Sequence, residues 1–171
     1  MTDHAALAGA ATDAATPTTP ELHTPLHEEH LALGAMMVSF AGWQMPLRYS
    51  SDLEEHRATR TAAGLFDLTH MGEIDVVGPQ AVAALDYALV GAMGRIAIGR
   101  AKYTMICAED GGVIDDLVVY RLGEDHFMVV ANASNCAIVV AELRMRFHGF
   151  DVTLTDDSLT TALLAVQGPE A

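Results

Sequence analysis

Lys and Arg are scarce in this sequence. The chain has 171 residues but only 9 Lys and Arg, against 23 Asp and Glu, which gives a formal net charge of -14. A chain with so few cations repels a phosphate backbone, so the composition argues against nucleic acid as a partner. A cationic partner is compatible with this charge, although an excess of acidic residues more often serves solubility alone.

Cysteines and long apolar runs are also sparse. Cys107 and Cys136 have neither metal-ligand nor redox spacing, and both fall in apolar periodic stretches. We interpret them as core thiols of a reduced protein, and we therefore expect no metal site and a cytoplasmic location. No apolar run is long enough to span a bilayer, so we expect no membrane contact.

The beginning of the chain differs in composition from the rest. Residues 1–23 are rich in Ala and Thr, lack the basic start of a secretory signal and contain no Arg, so we expect a disordered extension. Thr24 followed by Pro25 predicts the start of a short helix. Ser51 and Glu54 form a capping box, which predicts the start of a second helix.

Alternating strands and helices are predicted over residues 73–155. Strands are predicted at 73–77, 101–107, 113–120, 126–131 and 150–155; one helix follows Gly78-Pro79, and a second is capped by Ser134. The order β-α-β-β-β-α-β, with mostly hairpin-linked strands, predicts an α+β fold in which an antiparallel sheet carries helices on one face.

Two flanking segments carry weaker patterns. Residues 40–49 are apolar but broken by glycine and proline, which predicts a strand that bends into a loop. Residues 162–166 predict a short strand, and the Gly168-Pro169 pair that follows is typical of a helix start.

The stretch GGVIDDLVVY, residues 111–120, places two carboxylates in the middle of a predicted strand. Because neighbouring strand residues point to opposite faces, Asp115 and Asp116 must separate. Asp116 shares its face with Tyr120 and, across the predicted hairpin, with Tyr103. A carboxylate among aromatic rings is suited to bind the amine edge of a flat ligand, and partial desolvation would tune it for acid–base chemistry.

The same pattern leaves a simpler interpretation of Asp116 open. Its carboxylate is then solvated, or it pairs with Lys102 or Arg100. Asp115 is expected to be the carboxylate that points outward to water.

The histidines are weaker candidates for chemistry. His27 and His30 are three residues apart, which does not match the i, i+4 spacing of H-E-x-x-H, and we expect them on a solvated polar helix face. His70 joins a buried segment to a strand, and a structural role is favoured for it.

Eight motifs of this chain occur in the order in which one known family has them. They are TPL (24–26), FAGWQMP (40–46), the Glu55-His56 helix, GLFDLTHMGE (64–73), GRAKYT (99–104), GGVIDDLVVY (111–120), VANASN (130–135) and LLAVQGP (163–169). From about Thr24 to the end, the chain resembles the T-protein of the glycine cleavage system, a tetrahydrofolate-dependent aminomethyltransferase.

This resemblance implies a reaction and a site. The family takes an aminomethyl group from the dihydrolipoyl arm of the H-protein, passes its carbon to the co-substrate tetrahydrofolate and releases ammonia. Asp116 matches the family's critical carboxylate, which would orient the folate amine and stabilise positive charge during transfer. The resemblance also implies folate-binding roles for Met71, Tyr103, Tyr120 and Asn132.

A domain organisation is implied in the same way. Residues 24–72 would be the first segment of an outer folate-binding domain, 73–158 an inserted β-α-β-β-β-α-β domain, and 159–171 the start of the outer domain's return segment. Family members run to roughly twice this length and share their folate cavity among three domains. We therefore expect an N-terminal fragment with weak or no activity alone. Val90-Gly91-Ala92 stands where the family usually has Thr-Asn-Asp, so polar contacts from that loop are in doubt.

Two other hypotheses remain open. The chain is then a folate-binding module without transferase activity, of the kind found in iron–sulfur maturation and in demethylating oxidases, or it is a non-functional remnant. The intact Thr-His-Met-Gly and Asp-Asp motifs favour the transferase.

Overall fold

The computed structural model describes residues 20–171; residues 1–19, most of the predicted extension, lie outside the described part. The strands are β1 (Leu22–His23), β2 (Met36–Phe40), β3 (Trp43–Arg48), β4 (Gly64–Asp67), β5 (Gly72–Val77), β6 (Arg100–Cys107), β7 (Val113–Arg121), β8 (His126–Ala131), β9 (Thr153–Asp156) and β10 (Leu164–Gln167). The α-helices are α1 (His27–Ala32), α2 (Asp52–Thr61), α3 (Ala81–Ala88) and α4 (Cys136–Arg146). Short 3-10 helices cover Met93–Arg95 and Ala133–Asn135.

The largest sheet has five strands in the order β6-β7-β8-β5-β9, and every neighbouring pair is antiparallel. The side chains between this sheet and helices α3 and α4 form the core, which includes Ile74, Leu85, Val119, Phe127 and Leu143, each fully buried. Truncating a Leu in such a core to Ala costs about 2–5 kcal/mol. The predicted fold class, an antiparallel sheet with helices on one face, is confirmed.

Two smaller sheets use residues before and after this unit. In the first, β3 pairs with β1 in parallel and with β2 in an antiparallel hairpin. In the second, β4 pairs with β10, with Leu65 opposite Val166. Next to this pair, the N–H of Leu68 donates to the carbonyl of Leu163 at 2.8 Å. The predicted division into domains at 24–72, 73–158 and 159–171 stays a prediction.

The prediction of a single bending strand at 40–49 is wrong at its start. Phe40 ends β2 and Trp43 begins β3, so the segment crosses a two-residue hairpin turn. Both turn residues have positive φ, 50° at Ala41 and 84° at Gly42, as turns of type I′ require. Gly42 is a turn residue, but an alanine rarely adopts this conformation, so Ala41-Gly42 is not recognisable as a two-residue turn from the sequence.

The helix starts were predicted with mixed success. The Ser51 side chain accepts the N–H of Glu54 at 3.2 Å, which confirms Ser51 as the cap of α2. The return bond of a capping box comes from Glu55 rather than Glu54, since Glu55 accepts the N–H groups of Tyr49 and Ser50. Ser134 does not cap α4, because a 3-10 turn occupies Ala133–Asn135 and the helix begins after it. Helix α1 likewise begins at His27 rather than at Pro25, without a side-chain cap.

The end of the chain also differs from the prediction. Residues 150–152 are not a strand, because the backbone of Asp151 bonds instead to Gln80, accepting its N–H at 3.2 Å and donating to its side-chain oxygen at 2.6 Å. The Gly168-Pro169 pair forms a turn and no helix. Within residues 20–171, none of the helices has the length and hydropathy needed to cross a membrane.

Candidate functional site

The face of the five-stranded sheet that the helices leave open carries Asp116. Its Cα pairs with that of Met105, and the next pair on this face joins Val118 to Tyr103. The Tyr103 hydroxyl donates to Oδ2 of Asp116 at 2.5 Å. The two side chains therefore share a face, as the hairpin pattern predicted, and the tyrosine holds the carboxylate from one side.

Asn132 holds the Asp116 carboxylate from the other side. It follows the last residue of β8, and its side-chain Nδ2 lies 3.1 Å from Oδ1 of Asp116 and 3.1 Å from the Asp116 carbonyl oxygen. Met71 directly precedes β5, where Gly72 pairs with Ala131. Met71 and Asn132 therefore come next to each other at the same end of the sheet.

Tyr120 shares the open face but lies farther along β7. It pairs with Ala101 on one side and Met128 on the other. Four residues separate it from Asp116, which corresponds to about 13 Å along the strand. The structure thus brings Tyr103 and Asn132 into contact with the carboxylate, places Met71 beside Asn132 on the strand beyond, and leaves Tyr120 farther along the same surface.

The alternative pairing of Asp116 with a lysine or arginine is wrong for the described part of the chain. Lys102 lies on the opposite face, and its Nζ reaches the carbonyl of Ala92 at 3.5 Å. The neighbouring carbonyl of Val90 accepts the hydroxyl of Thr104 at 2.5 Å. The loop at residues 90–92, which departs from the family pattern, therefore makes these two contacts through its main chain.

Asp115 points inward, and the expectation that it faces water is wrong. Its exposed fraction is 3%. Its carboxylate accepts three hydrogen bonds: from the main-chain N–H of Asn132 at 3.1 Å, from Asn132 Nδ2 at 2.9 Å and from Asn135 Nδ2 at 2.7 Å. A buried carboxylate is tolerated when its oxygens are hydrogen-bonded in this way.

The protonation of Tyr103 follows from its contact with Asp116. The hydrogen bond to the carboxylate, with smaller effects of burial and of both aspartate charges, raises the pKa of Tyr103. A phenolate beside a carboxylate is disfavoured, so the hydroxyl stays a hydrogen-bond donor near neutral pH.

Comparison with known proteins assigns the chain to a family. The family model described as the GCVT N-terminal domain matches residues 26–171. The chain belongs to this family. An aminomethyltransferase of Saccharopolyspora erythraea is 63% identical over 148 residues, and one of Streptomyces coelicolor is 62% identical over 148 residues.

The coverage of these matches is unequal. Each covers 86% of this chain but 40% of the relative. The solved structure of the glycine cleavage system aminomethyltransferase T from Bartonella henselae is 44% identical, has a TM-score of 0.79, and covers 87% of this chain and 41% of that one. This GCVT N-terminal domain chain therefore spans about two fifths of the length of these relatives.

The residue-level predictions missed Glu73 of this GCVT N-terminal domain. It lies on the same sheet face, in the row that joins Tyr103, Val118, Val130 and Glu73. Its exposed fraction is 1%, and neither carboxylate oxygen has a hydrogen-bond partner among residues 20–171. Burial, and secondarily the charge of Asp156, raise the pKa of Glu73 to about 7. The alternation of polar and apolar residues in the sequence placed Glu73 on this face, but it did not indicate that the Glu73 side chain is buried there.

His30 of this GCVT N-terminal domain is buried, so its expected place on a solvated helix face is wrong. Its Nε2 lies 2.9 Å from Oδ2 of Asp67, and its Nδ1 lies 2.8 Å from the hydroxyl of Tyr49. The imidazole thereby joins α1 to β4 and to the end of β3. His70 is half-buried and meets the ring of Phe40 edge-on at 5.4 Å, which fits a structural role.

Two cavities of this GCVT N-terminal domain lie away from Asp116. One, of about 510 Å³, is bordered by Tyr49 and Phe66, and the other, of about 820 Å³, by Arg146 and Phe150. Neither is lined by a predicted site residue. The Asp116 surface is thus an open sheet face rather than part of either cavity.

Proposed function

We propose that this chain carries the N-terminal domain of an aminomethyltransferase of the glycine cleavage system. Such an enzyme would take the aminomethyl group from the dihydrolipoyl arm of the H-protein, transfer its carbon to tetrahydrofolate and release ammonia. The names of relatives at 63% and 62% identity support this proposal. The observation that carries it is the Asp116 carboxylate, held on an open face by Tyr103 and Asn132.

Asp116 is the proposed catalytic residue. Each carboxylate oxygen accepts one side-chain hydrogen bond, from Tyr103 or Asn132, and a second lone pair remains on each. The carboxylate can therefore accept an N–H of the folate amine while its own orientation stays fixed. A negative charge held in place also stabilises the positive charge that develops as the carbon is transferred.

The remaining predicted residues would form the folate-binding surface. Tyr103 and Tyr120 lie on one face, on neighbouring strands and two register positions apart, which is about 7 Å along the strand direction. A flat, elongated ligand such as a folate can contact both rings. Met71 and Asn132 would border the same ligand at the Asp116 end.

The test measures transfer from aminomethylated H-protein to tetrahydrofolate. Because the chain spans about two fifths of its relatives, it is assayed both alone and joined to the C-terminal sequence of the Saccharopolyspora erythraea relative. We expect weak or no turnover by the chain alone, clear turnover by the longer protein, and loss of turnover with Asp116→Asn. Inactivity of a folded longer protein would contradict the proposal. A folate affinity that does not change when H-protein is added would favour a non-transferase module instead.

A further inference from the structure

The two neighbouring aspartates of β7 are joined by one side chain, that of Asn132. Its Nδ2 lies 2.9 Å from Oδ1 of buried Asp115 and 3.1 Å from Oδ1 of exposed Asp116. An amide NH2 has two protons to donate. One points to Asp115, and the other is shared between Oδ1 and the main-chain carbonyl of Asp116, both 3.1 Å away.

This arrangement fixes which way the Asn132 amide faces. If the amide were turned over, its Oδ1 would stand against two carboxylate oxygens and the Asp116 carbonyl, all of them acceptors. The hydrogen-bond network therefore allows one orientation only. In that orientation Oδ1 is free of the aspartates and remains available as an acceptor.

Asp115 is the fixed point of the network. It is held among three donors, two from Asn132 and one from Asn135. Asn135 directly precedes α4, and its main-chain N–H donates to the carbonyl of Asn132 at 2.9 Å. The Asp115 carboxylate thereby attaches both ends of the tight turn between β8 and α4 to β7.

We propose that Asp115 is a positioning residue, which orients the Asn132 amide so that Nδ2 holds Asp116 and Oδ1 accepts a hydrogen bond from an N–H of the bound folate. The identity of the ligand rests on the proposed function. The orientation of Asn132 does not rest on it, and the two parts are tested separately.

The negative charge of Asp115 is essential to this arrangement. Asp115→Asn keeps the shape but presents an NH2 group to the cluster of donors. Whichever way the new amide turns, it sets its own donor against Asn132 or Asn135. With its NH2 at the Oδ1 position, the new amide faces the side-chain amides of Asn132 and Asn135, and turning Asn132 in response would bring its Oδ1 against the Asp116 carboxylate. With its NH2 at the Oδ2 position, it faces the main-chain N–H of Asn132 and strains the turn that carries Asn132.

The experiment measures the Kd of tetrahydrofolate for the 171-residue chain by fluorescence titration. We expect Asp115→Asn to weaken binding about tenfold, since Asn132 and Asp116 lose the fixed positions from which they would contact the ligand. Asp125→Asn, an exposed aspartate in a turn, is the matched control and should leave Kd within about twofold. A folded Asp115→Asn chain that binds like the parent would overturn the proposal.

A double-mutant cycle separates positioning from general structural support. If Asp115 acts through Asn132, then Asp115→Asn adds little to the loss of affinity already caused by Asn132→Ala. Additive losses of folate affinity would show that Asp115 does not act through Asn132 and would contradict the proposal.

A spectroscopic measurement on the parent chain covers the case in which Asp115→Asn does not fold. In ¹⁵N–¹H spectra, the two side-chain protons of Asn132 should be well separated in shift and exchange slowly with water, because each is hydrogen-bonded. Rapid exchange like that of an exposed Asn would overturn the proposed orientation. If the 171-residue chain binds no folate, the titration is repeated on the longer protein; absence of binding there contradicts the proposed function, and this spectrum still decides the role of Asp115.

Discussion

Glu73 leads to a pH dependence of stability whose sign is opposite to that of most carboxylates. Its pKa is raised from 4.5 to about 7 by burial and by the charge of Asp156. The folded state therefore binds the proton more tightly than the unfolded state does. The contribution to the free energy of unfolding is fully present below pH 4.5 and is lost as the pH rises through 7.

The magnitude follows from the same two values. The gap between a pKa of 4.5 and one of about 7 corresponds to about 3 kcal/mol. Glu73→Gln keeps the size of the neutral acid and cannot ionise. We therefore expect the variant to match the parent chain near pH 4.5 and to be up to about 3 kcal/mol more stable at pH 8.

Urea unfolding followed by circular dichroism at several pH values between 4.5 and 8 measures this difference. Other groups titrate in this range, so the comparison is between the pH profiles of the two chains rather than between single values. Glu109→Gln, an exposed Glu in the β6–β7 turn, is the matched control and should give a profile parallel to that of the parent. Parallel profiles for Glu73→Gln as well would refute the reasoning.

Three further predictions concern the site and its support. Asp116→Asn should abolish transfer in the longer protein while changing the free energy of unfolding by no more than about 0.5 kcal/mol, since its side chain is exposed. The transfer assay and thermal unfolding check the two parts; retained transfer would contradict the first, and a large loss of stability the second. His30→Ala should lower the free energy of unfolding by about 1–3 kcal/mol, because it leaves the Asp67 carboxylate and the Tyr49 hydroxyl without their shared partner. Exposed His56→Ala is the control and should lower it little. Equal urea midpoints for the two variants would contradict a structural role of His30. Tyr103→Phe keeps the ring but removes the hydrogen bond to the Asp116 carboxylate, so folate affinity should fall several-fold. Exposed Tyr87→Phe is the control and should leave the affinity unchanged. Unaltered affinity in Tyr103→Phe would show that the Tyr103 hydroxyl makes no contribution to folate binding.

The sequence predicted the central strands well because hydrophobic alternation determines their register. The strand predicted at 126–131 is β8, and the one at 113–120 differs from β7 by one residue. Alternation also separated the two aspartates correctly. The direction predicted for Asp115 was wrong, because Asp115 shares its face with Leu117 and Val119, which are core residues.

Other features depend on contacts that no local pattern carries. The hairpin turn at Ala41 needs a conformation that alanine rarely adopts. Residues 150–152 do not join the predicted strand because the backbone of Asp151 is hydrogen-bonded to Gln80. Glu73 obeys the alternation of its strand, yet its part of the open face is covered. The resemblance supplied the candidate residues, and their roles stay predictions.

The pairing of β4 with β10 has a consequence for folding order and for engineering. It closes the chain on itself at Asp67 and Leu164, so the five-stranded unit leaves and returns at one place. Joining strands so far apart in sequence carries a large loop-closure entropy, and we expect this ribbon to form after the unit that it encloses. Because the exit and the return are neighbours, the enclosed unit can gain or lose residues in its turns without displacing β1, β2 and β3.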